Sequence, residues 1–149
     1  MMTARTRLDS VSPELADRLR GSSEDALRRV AAVVGDLAVT MGSLSDPRVD
    51  SALAVLGGGP ASGEEKAELQ VLVDELDEAA WEIQERVHSG RLPEHEYLQA
   101  FRKARAASAV AFALDPDPQT AAMEAVYEAQ SAAGDINPVR AAVLEILGS

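Results

Sequence analysis

Prolines that directly follow a helix-capping residue restrict the fold of this chain more than any other feature of its sequence. A capping side chain accepts a hydrogen bond from the first helical turn, and proline fits the first position because its missing N–H would be unpaired there. The pattern occurs at Ser12-Pro13, Asp46-Pro47, Asp117-Pro118 and Asn137-Pro138. Glycines stand where helices are expected to end in a left-handed conformation, at Gly21, Gly42, Gly57, Gly90, Gly134 and Gly148. These marks predict seven helices, at about 13–20, 23–41, 47–56, 64–89, 93–114, 118–133 and 138–147.

The apolar residues of the chain also favour helices over strands. Hydrophobic residues make up 46% of the sequence but aromatic residues only 3%, because alanine supplies much of the apolar content. Alanine is the best helix former, and its small side chain lets helix axes approach closely. A strand would need alternating β-branched or aromatic residues, and no convincing run of that kind occurs. We therefore expect an all-α helical bundle, roughly three-quarters helical.

The two longest predicted helices, 64–89 and 93–114, are separated by a short turn and are expected to form an antiparallel hairpin. The first has an apolar stripe along one face and acidic residues on the others. The second loses every charge between Ala106 and Leu114, which is typical of a helix surrounded by other helices. We expect the bundle to be built around this hairpin, with residues 1–12 as a flexible N-terminal arm and 13–149 as a single helical domain.

The charge of the chain is concentrated in its second part. The formal net charge is −11, and residues 61–149 carry seventeen acidic against seven basic side chains. Such a field repels nucleic acid and anionic membrane surfaces and attracts a basic protein. The simpler interpretation is that the acidity only keeps the protein soluble. With no apolar run of ~20 residues and no apolar stretch behind the basic N-terminus, a cytoplasmic protein is expected.

Two histidines suggest metal chemistry but lack the necessary companions. Glu85-x-x-His88 has the spacing of a di-iron ligand pair on a helix, but a site of that kind needs a second such pair, and His95 has Leu92 three residues before it. A histidine cation at a helix C-terminus explains His88 without a metal. His88 and His95 could also meet across the turn and hold zinc, although His95 fits an ordinary acidic first turn. The sequence predicts no metal site and no cofactor.

Residues for nucleophilic catalysis are also missing. There is no cysteine, no Gly-x-Ser-x-Gly turn, and Gly57-Gly58-Gly59 lacks the lysine of a phosphate-binding loop. A general acid–base pair of carboxylates remains open, because the sequence does not show which acids are buried. The basic clusters Arg28-Arg29 and Arg102–Arg105 fit either an anion site or pairing with neighbouring glutamates. No catalytic residue is predicted.

Trp81 is the residue that most suggests an interaction surface. At about 100° per residue it lies off the apolar stripe of its helix and beside four polar residues, Asp74, Asp77, Glu85 and His88. It could pack against a flanking helix, or it could be an exposed aromatic anchor surrounded by acids, as in many binding hot spots.

These observations predict a non-catalytic acidic interaction or adaptor protein that binds a protein partner, possibly a basic one, through the acidic hairpin. Self-association, for example as a homodimer, is expected because the short helices 47–56 and 138–147 are too brief to cover the apolar length of the hairpin. The alternative is a small-molecule-binding helical domain or small enzyme with a pocket among the alanine-rich helices. A buried polar cluster would favour the alternative, and a flat face of acids around an aromatic residue would favour protein binding.

Overall fold

Eight α-helices account for 79% of the residues that the structure, a computed structural model, describes. The described residues are 6–148, and no strand occurs among them. The helices are α1 (Arg7–Val11), α2 (Pro13–Arg20), α3 (Glu24–Met41), α4 (Pro47–Leu56), α5 (Glu65–His88), α6 (Glu94–Ala113), α7 (Pro118–Ala133) and α8 (Ile136–Leu147). The predicted all-α bundle is confirmed, and α1 is the helix that the sequence did not predict.

Side-chain caps begin three of the helices at the residues predicted from the capping-residue–proline pattern. The caps are confirmed where proline takes the first helical position, at Ser12, Asp46 and Asp117. The fourth predicted start is wrong: α8 begins at Ile136, and Asp135 is the cap, accepting a hydrogen bond from the backbone N–H of Asn137 at 2.9 Å. Pro138 is tolerated inside this first turn because its missing N–H would have no partner within the helix.

The N-terminal segment differs from the flexible arm predicted for residues 1–12. Part of it forms α1, and Leu8 is buried in the main core. Asp9 accepts hydrogen bonds from the backbone N–H of Thr6 and from the guanidinium of Arg20 on α2. The bond from Arg20 holds the pKa of Asp9 well below its usual range. Residues 1–5 of the predicted arm lie outside the described residues.

The second half of α6 lies between two hydrophobic clusters. From Ala104 to Ala113 every side chain except Arg105 and Phe112 is buried. One side of this stretch packs in the larger cluster with α1, α2, α3, α7 and α8, and another side packs in the smaller cluster with α4 and α5. The prediction that the uncharged stretch 106–114 lies at the centre of the bundle is confirmed up to Ala113; Leu114 is only partly buried.

Helices α5 and α6 run antiparallel and are in contact along the hairpin. Lys66 at the start of α5 bonds Asp115 just beyond the end of α6, with a distance of 3.2 Å. The buried residues of α5 are Leu69, Leu72, Val73 and Ala80. None of residues 81–103, here called the hairpin tip, is fully buried. The base of the hairpin therefore belongs to the bundle, while the hairpin tip contributes no residue to either core cluster.

Gly42, directly after α3, lies against the backbone of α6. A Cβ atom at this position would be 3.0 Å from the Cβ of Ala106 and 3.1 Å from the carbonyl oxygen of Arg102. Its φ is −84°, so the lack of a side chain, rather than a left-handed conformation, explains the glycine. A methyl group at the junction of α3 and α6 would therefore require its neighbours on α6 to move by a few tenths of an ångström.

We expect Gly42→Ala to lower the free energy of unfolding by about 1–3 kcal/mol, because overpacking forces neighbouring backbone to shift. Urea denaturation measures the change. Gly57→Ala is the matched control, since Gly57 also follows a helix with a φ of −81° but a Cβ there would approach no atom closer than 3.5 Å. A similar loss in both variants would contradict the packing explanation.

Candidate functional site

Trp81 is exposed on α5. Its side chain has 60% of its surface accessible, so the interpretation that it packs against a flanking helix is wrong. The apolar stripe of α5 faces α6 and α4, and Trp81 lies about 100° or more away from the centre of that stripe. The only tryptophan of the chain is thus presented to solvent at the start of the hairpin tip.

The four polar residues predicted to accompany Trp81 are also exposed, although they differ in their contacts. Asp74 accepts a hydrogen bond from the side chain of Gln70 at 3.3 Å. Asp77 bonds Arg105 of α6 at 2.7 Å, so part of its charge is balanced within the protein. The structure gives neither Glu85 nor His88 an ion pair within the described residues.

A shallow groove runs along the solvent side of α5 next to Trp81. It has a volume of about 320 Å³. Besides Trp81 it is lined by Glu82, Glu85, Arg86, Ser89 and Arg91. An indole ring, two carboxylates and two guanidinium groups therefore border the same open depression.

A buried charge cluster lies on the side of the bundle where α1, α5, α6 and α7 meet. Glu128 of α7 is only 1% exposed, and its carboxylate contacts two guanidinium groups, those of Arg105 at 3.1 Å and Arg7 at 2.9 Å. Arg105 reaches in the other direction to Asp77. Burial lowers the pKa of Arg105, but the charge of Glu128 and the hydrogen bond to Asp77 outweigh it, so this pKa is raised. The guanidinium of Arg105 is therefore ionised at neutral pH.

An open cavity of about 440 Å³ borders this cluster. Its charged lining residues are Arg7, Asp77, Arg105, Glu124 and Glu128. Its uncharged lining residues are Val73, Ser108, Phe112 and Thr120. The cavity joins the charge cluster to the hairpin, because Asp77 belongs to both the cavity and the predicted binding face.

One residue of each basic cluster identified in the sequence, Arg28 and Arg105, binds groups of the protein itself. Arg28 donates to the backbone carbonyl of Asp115 at 2.6 Å and also to that of Pro116. Arg105 pairs with carboxylates as described, and its guanidinium lies 5.8 Å from the ring centroid of Phe101. Arg105 therefore pairs with acids, whereas Arg102 and Lys103, which were expected to pair with glutamates of the acidic helix, have no ion pair among the described residues.

Residues 6–148 contain neither a candidate metal site nor a candidate membrane-spanning helix. No group of three or more His, Asp or Glu side chains there has a geometry that could hold a metal ion. None of the helices in this range is both long enough and apolar enough to span a membrane.

The charge cluster was missed by sequence reasoning, although part of it left a signal. Glu124 and Glu128 are four residues apart on α7, where most other side chains are apolar, and Arg105 directly precedes the uncharged stretch of α6. Charges at the edge of such apolar stretches are candidates for a buried pair. The position of Arg7, which is more than a hundred residues from Glu124, left no signal of this kind.

Comparisons of the chain with protein-family models, with curated proteins and with solved structures gave no match.

Double-mutant cycles in the charge cluster test how much burial strengthens its ion pairs. We expect a coupling free energy of about 1–3 kcal/mol between Arg105 and Glu128, because Glu128 is shielded from water. The coupling between Arg105 and Asp77, whose side chain is half exposed, should be below about 1 kcal/mol. The cycles use Arg105→Met, Glu128→Gln and Asp77→Asn with urea denaturation. Equal couplings would show that burial of Glu128 has no effect on the pair.

Proposed function

We propose that the protein is a non-catalytic interaction protein that binds a basic protein partner through the acidic face of its hairpin, with Trp81 as the apolar anchor. The exposure of Trp81 is the observation that carries this proposal. Large exposed aromatic side chains are a feature of binding sites, because burying one on association removes a large apolar surface from water.

The charge of α5 supports a basic partner. Residues 64–85 contain nine acidic side chains and a single basic one, Lys66. Lys66 is already bonded to Asp115, whereas Asp74 and Glu85 have no cationic partner in the described part of the chain. Unbalanced acids of this kind accelerate encounter with a positively charged surface and make the rate depend on salt.

Solubility alone explains the acids but not the tryptophan. A solvated helix face needs only charged and polar residues, whereas Trp81 places an indole ring in water beside them. In a binding site the two features have separate roles: the acids steer the partner, and the ring slows its dissociation.

A second candidate function is small-molecule binding at the cavity beside the charge cluster. The buried Glu128 is the polar group that this function requires, and the Nε–H of Arg105 is buried with no acceptor in the described residues. Against it, the charged groups of the cluster bind one another, so a ligand without a cationic group would have to separate ion pairs without replacing them. We therefore prefer protein binding.

Self-association through the other side of the hairpin is part of the proposal. An open groove between α5 and α6 is lined by Leu76, Ala79, Ile83, Glu96, Gln99, Ala100 and Lys103. Helix α4 covers the hairpin only near its base, and α8 packs on α3 and α7 instead. Ile83 and Trp81 point about 160° apart around α5, so a second copy in this groove would leave the acidic face free.

Peptides selected from a random library on the immobilised protein provide the test of the binding face. We expect the selected peptides to be rich in Lys and Arg and to bind Trp81→Ala at least roughly 30-fold more weakly, the loss of ~2 kcal/mol typical of an anchor residue. Asp74→Lys should mainly slow association. Fluorescence anisotropy and stopped-flow mixing measure the two effects.

Val71→Ala is the matched control, because Val71 is 53% exposed on the same helix and lies about 15 Å from Trp81 along its axis. It should leave affinity unchanged. Selected peptides without a basic excess, or equal binding to Trp81→Ala, would refute the proposal. A loss of ~3–5 kcal/mol in folding stability in Trp81→Ala would instead mark a core residue.

Light scattering at micromolar concentration tests self-association. We expect twice the 15.7 kDa mass of one chain, and we expect Ile83→Glu to restore the monomer because it places a charge in the apolar groove. Val71→Glu adds the same charge outside the groove and should leave the dimer intact. A monomer mass for the unaltered protein would refute self-association.

A further inference from the structure

The side chain of Arg7 is bound like a ligand on the surface of the bundle. Its guanidinium donates to Glu124 through Nε at 3.0 Å and lies 2.9 Å from the carboxylate of Glu128. It also lies over two aromatic rings, 4.3 Å from the centroid of Tyr127 and 5.6 Å from that of Phe112. Paired carboxylates with aromatic faces are the groups that recognise a planar guanidinium cation.

The residues that surround Arg7 belong to the bundle and do not depend on α1. Glu124, Tyr127 and Glu128 occupy adjacent turns of α7, and Phe112 is on α6. Arg105 bonds Glu128 from the other side and fixes its carboxylate. Without Arg7 these two acids and two aromatic rings would therefore keep their positions and would be open to the adjoining cavity.

The electrostatic balance of the cavity favours a cation at this position. Without Arg7, three carboxylates, those of Asp77, Glu124 and Glu128, would face the single guanidinium of Arg105. Burial lowers the pKa of Arg7, but its hydrogen bond to Glu124 and the charge of Glu128 outweigh it, so this pKa is raised. The site thus holds its guanidinium in the charged form.

Arg7 is held less firmly than the helix that carries it. Its side chain is 44% exposed, whereas Leu8 is 1% exposed in the core and Asp9 is bonded to Arg20. Helix α1 therefore has anchors other than Arg7, and the side chain of Arg7 can leave its site while α1 stays in place. The solvent-accessible side of the guanidinium is the route by which another cation would enter.

We propose that Glu124, Glu128, Tyr127 and Phe112 form a guanidinium-binding cage, which Arg7 fills in the free protein and an arginine of the basic partner fills in the complex. The second part rests on the proposed function. Asp77 connects the two sites, since it lines the cavity beside the cage and lies one helical turn, about 6 Å, before Trp81 on α5. A partner seated on Trp81 has this acid-lined entrance directly beside it.

Binding of N-ethylguanidinium chloride to Arg7→Ala tests the cage without any protein partner. We expect the melting temperature of this variant to rise with the ligand and to saturate, by roughly 3–6 °C at ten times the dissociation constant. Ethylammonium chloride at the same concentration should have a smaller effect, because an ammonium lacks the planar fork. The ring signals of Tyr127 and Phe112 in NMR spectra should shift with the same saturation curve.

The controls separate the cage from general salt effects. The unaltered protein should show no saturable response, because Arg7 fills the site. Arg140→Ala removes an arginine from an exposed pair with Glu14 for which the structure gives no aromatic neighbour, and it should not respond either. Adding Glu124→Gln to Arg7→Ala should abolish the response. If Arg7→Ala does not fold, Arg7→Gln, which keeps most of the side-chain length, replaces it.

The result that would overturn the cage is a response in Arg7→Ala no larger than in Arg140→Ala. The arginine of the partner is tested separately: basic peptides selected on the unaltered protein should bind Arg7→Ala more tightly, since they no longer compete with Arg7. If the peptides bind Arg7→Ala equally or more weakly than the unaltered protein, the partner's arginine does not occupy the cage and Arg7 is its only occupant. Because the ligand assay contains no peptide, its failure leaves the role of Trp81 standing, and failure of the peptide selection leaves the cage standing.

Discussion

Close packing around the alanine-rich half of α6 is the constraint on which the other features of the structure depend. Because Ala106, Ala109 and Ala113 present only methyl groups to the larger cluster, α3 and α7 can approach α6 closely. On another side of α6, helices α4 and α5 pack against Ala107, Val110 and Ala111. Interiors packed in this way have little spare volume. Gly42 is an example, because a Cβ atom at the end of α3 would lie only 3.0 Å from the Cβ of Ala106 on α6.

The charge cluster marks the place where this alanine packing ends. Arg105 lies on α6 directly before the uncharged stretch 106–114. It pairs with Glu128, the one buried acid among the described residues. A buried carboxylate without a partner would be strongly destabilising. Here two guanidinium groups, those of Arg7 and Arg105, pair with the carboxylate of Glu128. One of them comes from α1, so this ion pair adds to the contacts that Leu8 and Asp9 make between α1 and the bundle.

The same arrangement leaves the hairpin with two different regions. Its base is buried between α4 and the rest of the bundle, whereas none of residues 81–103 is fully buried. Trp81, the acids around it and the cavity at Asp77 all lie where the hairpin leaves the bundle. The candidate binding features are therefore placed on a rigid base but remain accessible, which is the arrangement that recognition sites require.

The sequence by itself determined the helices. The caps at Ser12, Asp46 and Asp117 act within three residues of the chain, and the 3.6-residue period of α5 places Trp81 off the apolar stripe without showing whether a flanking helix covers it. Such local effects can be calculated without knowing the fold. The burial of Glu128 and the contacts of the Arg7 guanidinium could not be predicted, because they depend on helices that are distant in sequence, and Arg7 and Glu124 are 117 residues apart. Only tertiary packing, by excluding water from Glu128 while leaving Trp81 exposed to solvent, decided which charges pair within the protein and which remain exposed.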